Sequence, residues 1–167
     1  PIPSLFSIAK KCLLNNKYVF LEKPGATNSK QLHELSNLIN ESNSCYVNYQ
    51  YLHHEKLLGL KKNIHLCDSL NFKWLKWGSF NNCIKRNLLT HNISVINYLF
   101  DDIENFSLNT HDIKDDRIQI HIENIDSKKV FVEIDRTHKG TKSKLIYNKV
   151  GKILCNFYET NKNYLDE

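Results

Sequence analysis

The stretch that decides the fold runs from Lys17 to Thr27 and reads KYVFLEKPGAT. Its apolar run, residues 18–21, is short and continuous, which is typical of a strand buried on both faces of a parallel sheet. The run ends in two charged residues, Glu22 and Lys23, and a Pro-Gly turn follows them. Ligands bind outside the carboxyl ends of strands in open α/β sheets, so these charged residues are candidates for chemistry.

The segments around this stretch predict alternating helices and strands. Apolar residues at helical spacing predict an amphipathic helix over residues 4–15 and a second helix over about 28–42. Residues 45–50 are rich in Tyr and Val and predict a strand that runs parallel to the first. This α-β-α-β order is the ending of a doubly wound, Rossmann-like unit.

Beyond residue 60 the hydrophobic pattern changes from continuous runs to strict alternation. A short polar helix over 53–62 and a Trp-rich strand over 64–77 precede a helix over about 81–100. Alternating strands follow, at 117–123, 130–134, 144–148 and 152–157. Alternation with short links predicts a mainly antiparallel, open sheet, and the long helix is the expected cover for one face.

The predicted fold class is therefore α/β, with the second half of a Rossmann-like parallel sheet followed by an α+β domain. We place the first domain at residues 1–58 and the second at 59–167. A chain of 167 residues is long enough for two small domains of this kind.

Composition argues against several classes of function. The net charge of +5 is mild, and basic residues are scattered, so a nucleic-acid groove is not expected. No apolar run approaches the roughly 20 residues of a membrane-spanning helix, and no leader is visible, so no membrane partner is expected. Five cysteines without a CxxC pair favour a reduced cytoplasmic compartment. His53 and His54 are adjacent, so they point apart on a helix, and no metal site is predicted.

Residues 8–50 carry a resemblance to a known family. The order of a helix, a strand, the tripeptide Glu22-Lys23-Pro24, a capped helix and a strand ending in Tyr49 resembles the nucleotide-binding domain of Gfo/Idh/MocA oxidoreductases. Further along, NLLTHNISVINYLF (87–100) and KLIYNKVGKILC (144–155) resemble a helix and a strand pair of that family's second domain.

The resemblance implies an activity and the residues that carry it. Family members transfer a hydride between NAD or NADP and a hydroxyl carbon of a sugar, a sugar nucleotide or a cyclitol. Lys23 matches a lysine near the nicotinamide and the reacting hydroxyl, and His91 matches the catalytic histidine. An alcohol that loses a hydride also loses a proton, and histidine suits the role of base because its pKa lies near neutral.

The same resemblance assigns the binding residues and a partner. Asn87 and Tyr49 are implied to bind a carbohydrate-like substrate. The implied cofactor-binding residues are Glu22, Lys23, Pro24 and Gln50, with a cis bond between Lys23 and Pro24. The second domain's sheet is implied to serve as a contact in a homo-oligomer.

Ordinary structural interpretations stand beside these assignments. A histidine between Leu88 and Val95 on the apolar face of a helix is usually a core residue, and a lysine before a Pro-Gly turn is usually solvated. The sequence also departs from the family, because Asn87 and Ser94 stand where the family has aspartates. An amide cannot act as a carboxylate base, so the chemistry is expected to be altered or lost if these positions are essential.

The chain contains no G-x-G-x-x-G motif, which a dinucleotide site of this type needs after its first strand. We expect a chain truncated at its amino terminus that lacks activity by itself. The alternative is a non-catalytic relative that binds a ligand or a protein partner.

Overall fold

The computed structural model describes residues 2–76, 83–101 and 103–157. The chain folds into two compact units, residues 1–50 and 51–167. Each unit has its own hydrophobic core.

The first unit contains two helices and two parallel strands. In chain order these are α1 (Ile2–Leu14), β1 (Tyr18–Glu22), α2 (Ser29–Asn37) and β2 (Ser44–Asn48). Strands β1 and β2 pair in parallel, from Tyr18 opposite Ser44 to Glu22 opposite Asn48. The parallel pairing predicted from the sequence is confirmed, and it brings the carboxyl ends of both strands to one edge.

One face of this small sheet is covered by the helices. The buried core consists of Ala9 and Leu13 from α1, Leu21 from β1 and Leu35 from α2. Helix α2 begins at a side-chain cap, because the Asn28 carboxamide oxygen accepts a hydrogen bond from the Gln31 amide at 3.0 Å.

The prediction that residues 18–21 are buried on both faces is wrong for the described chain. Tyr18 is 77% exposed and Phe20 is 69% exposed. Phe20 stacks on Tyr46 of the neighbouring strand with 5.4 Å between the ring centres. Within the described ranges, both helices of this unit pack on the opposite face, so these aromatic rings remain exposed.

The second unit combines two helices with six strands. In chain order these are α3 (Glu55–Lys62), β3 (Ser69–Leu75), α4 (Thr90–Phe100), β4 (Phe106–Ile113), β5 (Arg117–Asn124), β6 (Lys129–Asp135), β7 (Ser143–Tyr147) and β8 (Ile153–Asn156). Short 3-10 turns precede α3, β3 and β4, and a π-helical turn, Lys85–Leu89, leads directly into α4.

The strands form one sheet in the order β4-β5-β6-β3-β7-β8. Four neighbouring pairs are antiparallel, as predicted, and the pair β3–β6 is parallel. A parallel pair requires a crossover connection, and the chain between these two strands includes α4 and the β4–β5 hairpin.

Inward-facing residues of the sheet pack against the helices on one face. The strands contribute a buried set that consists of Leu70, Phe72, Trp74, Ile118, Val130, Val132, Ile134, Ile146 and Cys155. Leu88, Val95 and Leu99, at the predicted helical spacing, are buried in the same core. The predicted fold class and the helical cover of the sheet are confirmed. None of the described helices is both long enough and apolar enough to cross a membrane.

Two predictions about the second unit need correction. Residues 64–66 form a 3-10 turn in which Leu66 is 72% exposed, so the predicted strand begins only at Ser69, while Trp77 lies outside the described residues. Strand β4 was not predicted at all. Among the described strands it pairs with β5 alone, at the edge of the sheet. Its largely exposed residues show no inward alternation that a sequence pattern would reveal.

The helix predicted to reach residue 42 ends at Asn37. The side chain of Asn43 forms hydrogen bonds with the chain that follows this helix. The side-chain nitrogen Nδ2 of the buried Asn43 donates to the backbone carbonyls of Leu13 and Leu38, each at 3.0 Å. The side-chain oxygen Oδ1 of Asn43 accepts a hydrogen bond from the backbone amide of Asn40 at 2.9 Å. This side chain therefore links the ends of both helices of the first unit.

We expect Asn43→Ala to lower the free energy of unfolding of the first unit by about 2 kcal/mol, because it leaves buried backbone groups without their partner. Urea unfolding followed by far-ultraviolet circular dichroism measures the loss. Asn37→Ala changes an exposed residue and serves as the control. Equal stability of the two variants would show that the Asn43 bridge is unimportant.

Candidate functional site

The turn after β1 is fixed by backbone geometry. The Gly25 amide donates to the Glu22 carbonyl at 3.0 Å, and the Lys23-Pro24 peptide bond is cis, as the family resemblance implied. Gly25 has a φ of +79°, and a Cβ atom at this position would lie 3.0 Å from Val47 Cγ2. Both the left-handed backbone and the close approach of β2 therefore require glycine here.

Lys23 is half-buried in this turn. Burial lowers the pKa of its ammonium group, and the negative charge of Glu22 partly opposes that shift. The exposed Glu22 carboxylate also accepts a hydrogen bond at 3.0 Å from the side-chain amide of Asn48, at the end of the neighbouring strand. The carboxyl edge of the two strands thus holds an ammonium group that releases its proton more readily than an ordinary lysine.

Tyr49 and Gln50 follow β2 at the same edge. Tyr49 is half-buried, and burial raises the pKa of its phenol, so the hydroxyl stays protonated and remains a donor. Gln50 is exposed at the start of a 3-10 turn. The parallel pairing therefore brings to one edge the predicted residues Glu22, Lys23, Pro24, Tyr49 and Gln50.

His91 lies in the second unit, near the start of α4, and is only 6% exposed. Its ring packs edge-on against Tyr51, with 4.8 Å between ring centres. It also packs at a tilt against Trp74, with 5.8 Å between ring centres. This burial agrees with the ordinary interpretation of a histidine on an apolar helix face. The juxtaposition of His91 with Lys23, which belongs to the other unit, stays a prediction.

Asn87 lies in the π-helical turn that leads into α4. It is half-buried, and its backbone amide donates to the backbone carbonyl of Cys83 at 2.9 Å. Turns of this kind often occur at functional sites. No sequence pattern predicts this π-helical turn, since the apolar spacing of the segment also fits a regular α-helix.

Lys144 was missed as a functional candidate by the sequence analysis. It is 7% exposed, and its ammonium group donates to the Tyr51 hydroxyl. The same ammonium group lies 4.7 Å from the ring centre of Tyr51 and 5.0 Å from that of Trp74. The alternation along the strand does indicate this burial. Lys144 is two residues before the buried Ile146, so both side chains lie on the core side of β7.

Metal-ligating side chains are scattered through the described residues 2–76, 83–101 and 103–157. In the part of the chain that the structure describes, no group of three or more His, Cys, Asp or Glu residues is placed to hold a metal ion. His53 is exposed, while the ring of the neighbouring His54 packs on Phe157 with 5.3 Å between ring centres.

The sequence itself matches no protein-family model, and no curated protein is significantly similar to it. Solved structures, in contrast, are similar in fold. D-galactose-1-dehydrogenase from Rhizobium etli aligns with a TM-score of 0.74 at 18% identity over 87% of this chain and 53% of that protein. A putative myo-inositol dehydrogenase from Sinorhizobium meliloti gives 0.69 at 11% identity over 87% and 51%. An NAD-binding protein from Listeria innocua gives 0.75 at 15% identity over 89% and 50%.

These similarities define a class of fold. The chain spans about half the length of these two dehydrogenases and this NAD-binding protein. At 11 to 18% identity the likeness is one of fold.

The pKa of Lys23 provides a direct test of the turn's electrostatics. Because burial lowers this pKa, we expect the Lys23 titration midpoint, measured by NMR, to be lower in the folded than in the urea-unfolded protein. Protonation of Lys23 then opposes folding, so its unfavourable contribution fades as the pH rises through the folded-state pKa. Glu22→Gln should lower the folded midpoint further, because the Glu22 charge raises it.

Glu34→Gln is the matched control, since it removes a carboxylate of the same unit that pairs with Lys10. An unchanged Lys23 midpoint in Glu22→Gln, or an equal shift in Glu34→Gln, would contradict this assignment.

Proposed function

We propose that this chain forms the substrate-handling part of an NAD(P)-dependent oxidoreductase. The reaction transfers a hydride between the nicotinamide and a hydroxyl carbon of a sugar, a sugar nucleotide or a cyclitol. The observation that carries the proposal is the Glu22-Lys23-Pro24 turn at the end of a parallel strand, within a fold similar to that of dehydrogenases over most of the chain. The proposed setting is the cytoplasm, on the basis of five free cysteines.

The residues present fit one end of the cofactor. A half-buried ammonium group and an exposed carboxamide at the carboxyl edge, from Lys23 and Gln50, suit the nicotinamide end. The pyrophosphate end needs a G-x-G-x-x-G turn, and the five glycines, at positions 25, 59, 78, 140 and 151, are too far apart to provide one. NAD or NADP, when bound, would accept the hydride.

The chain's own residues would handle the proton and the developing charge. In the proposed mechanism Lys23 lies beside the reacting hydroxyl, where its positive charge stabilises the alkoxide as the proton leaves. Burial lowers the pKa of this ammonium group, and the charge of Glu22 partly opposes that shift. His91 is the proposed general base, and Asn87 and Tyr49 are proposed to hold substrate hydroxyls by hydrogen bonds.

One observation favours a second candidate function. His91 is nearly inaccessible among aromatic rings, and Asn87 offers an amide in place of the family's carboxylate. A base must come within hydrogen-bond reach of the proton that it removes. The alternative is therefore a non-catalytic module that binds a carbohydrate-like ligand.

The test is turnover by the chain fused to a dinucleotide-binding half that carries G-x-G-x-x-G. We expect nicotinamide reduction with sugars or cyclitols, lost by a factor of about 10²–10⁴ in Lys23→Ala and in His91→Gln, and reduced less in Asn87→Ala. Lys17→Ala, at the opposite end of β1 and exposed, is the control. Full turnover by both Lys23→Ala and His91→Gln would refute the catalytic roles, and ligand binding without turnover would establish the alternative.

We also propose that the open face of the second unit's sheet mediates homo-oligomer contact. This face carries a shallow concavity of about 440 Å³. At its floor Phe131 is 38% exposed and stacks on His121 with 4.3 Å between ring centres. An exposed phenylalanine stacked on a half-buried histidine, on a sheet face that none of the described helices covers, is suited to a protein contact.

We expect Phe131→Glu to convert a dimer or larger assembly to the monomer, because a charge would be buried without a partner at the contact. Sedimentation velocity measures the change. Ile93→Glu alters an exposed apolar residue of α4 on the other side of the sheet and should leave the assembly intact. A wild-type chain that sediments as a monomer at all concentrations would end this proposal.

A further inference from the structure

A groove in the second unit lies between helix α3, the 3-10 turn that follows it, and the turn that joins β7 to β8. Its volume is about 510 Å³, which is in the range of small-molecule sites. All the residues that line it belong to the described part of the chain, and none of them has a role in the proposed hydride transfer.

One side of the groove is a single stripe of helix α3. Lys56, Gly59, Leu60 and Asn63 are three or four positions apart, so they lie on the same side of the helix, and all four line the groove. Leu60 is buried and provides an apolar floor. Gly59 is exposed in the middle of the stripe and has no side chain to cover that floor.

The packing of the chain does not require a glycine at position 59. Its backbone is part of the regular helix α3, and a Cβ atom placed on it would meet no heavy atom within 4 Å. Glycine inside a helix is destabilising relative to alanine. What Gly59 does provide is open space above the helix backbone, an arrangement that is typical of places where a ligand approaches the backbone closely.

The remaining walls of the groove are largely apolar. Leu154 of β8 and Cys67 are half-buried in them, and Leu66 is 72% exposed at the rim. Burial raises the pKa of the Cys67 thiol, so this wall carries no thiolate charge at neutral pH. Removing such leucine surface from water is favourable, so the groove is suited to an apolar group.

A positive charge stands beside this apolar surface. The Lys152 backbone amide donates to the Asn148 side-chain oxygen at 3.0 Å, which fixes the turn before β8. The exposed Lys152 ammonium group takes part in none of the ion pairs found among the described residues. No aspartate or glutamate is among the described residues that line the groove. The groove therefore combines an apolar wall with a cation that its own lining does not neutralise.

We propose that this groove binds a small amphiphilic carboxylate. The carboxylate pairs with Lys152, because one ammonium group matches one negative charge. The apolar body of the ligand lies over Gly59 and packs on Leu60 and Leu154, and this burial provides most of the affinity, since an exposed ion pair contributes little. The site uses none of the residues proposed for hydride transfer, so this inference does not rest on the proposed function.

The first experiment titrates the full chain with octanoate, with the neutral octanamide and with acetate at constant ionic strength. The chain has only five glycines, so the amide resonance of Gly59 is readily assigned by its absence in Gly59→Ala. We expect octanoate to shift the amides of Gly59 and of Gly151, which precedes Lys152, in a saturable way, while Gly25 in the first unit does not move. Octanamide should bind about 2- to 5-fold more weakly, as expected for the loss of an exposed ion pair. A Gly59 amide that octanoate does not shift, or that acetate shifts equally, overturns the proposal.

A second experiment fills the groove. Gly59→Phe places a ring over the apolar floor without displacing a neighbour, because the added Cβ atom has no heavy atom within 4 Å. We expect this variant to keep its far-ultraviolet circular dichroism and to lose the octanoate-induced shift of the Gly151 amide. Gly59→Ala changes the helix at the same position, leaves most of the space open and should still bind. Unchanged octanoate binding by a folded Gly59→Phe would contradict the site.

A third experiment tests the charge. Lys152→Gln should weaken octanoate binding by about 2- to 5-fold and leave octanamide binding unchanged, because only the ion pair is lost. Lys149→Gln removes the same charge from an exposed position of the same turn and is the matched control. Equal weakening of octanoate binding in both variants would show a diffuse charge effect and refute the pairing of the carboxylate with Lys152.

Discussion

The side of the second unit that carries His91 and Lys144 depends on the packing of aromatic rings around the fully buried indole of Trp74. Tyr51 and Phe157 pack edge-on against it, with ring centres 5.1 and 6.1 Å away, and His91 lies on it at a tilt. An aromatic ring of this size contributes a large buried apolar area and a fixed packing geometry. Trp74 belongs to the central strand, so it fixes helix α4, the 3-10 turn before α3 and the end of β8 relative to one point on the sheet.

The same ring makes the burial of a charge tolerable. An ammonium group in an apolar core is costly unless partners compensate for lost hydration. For Lys144 the compensation includes the Tyr51 hydroxyl and the faces of two aromatic rings. On the other side of β3, the Nε and Nη2 atoms of Arg136 have no hydrogen-bond partner among the described residues. Keeping the Arg136 guanidinium group on the core face therefore has a stability cost.

The first unit shows a different balance between packing and chemistry. Gly25 allows a tight turn against Val47, and the turn places Lys23 where burial lowers its pKa without removing it from solvent. A lysine in a fully exposed loop would not experience this desolvation. The altered proton affinity of Lys23 is therefore a consequence of backbone geometry three residues beyond a strand.

The sequence by itself determined the order and type of most elements, the parallel pair with its Glu22-Lys23-Pro24 turn, and the apolar face of α4. These features depend on local periodicity and on turn residues, whose preferences act within a few positions of the chain. The tertiary structure alone decided the parallel pairing of β3 with β6, the pairing of the polar edge strand β4 and the π-helical turn at Asn87. It also decided which charged residues are buried, because the cost of burying Lys144 or Arg136 depends on groups contributed by distant parts of the chain.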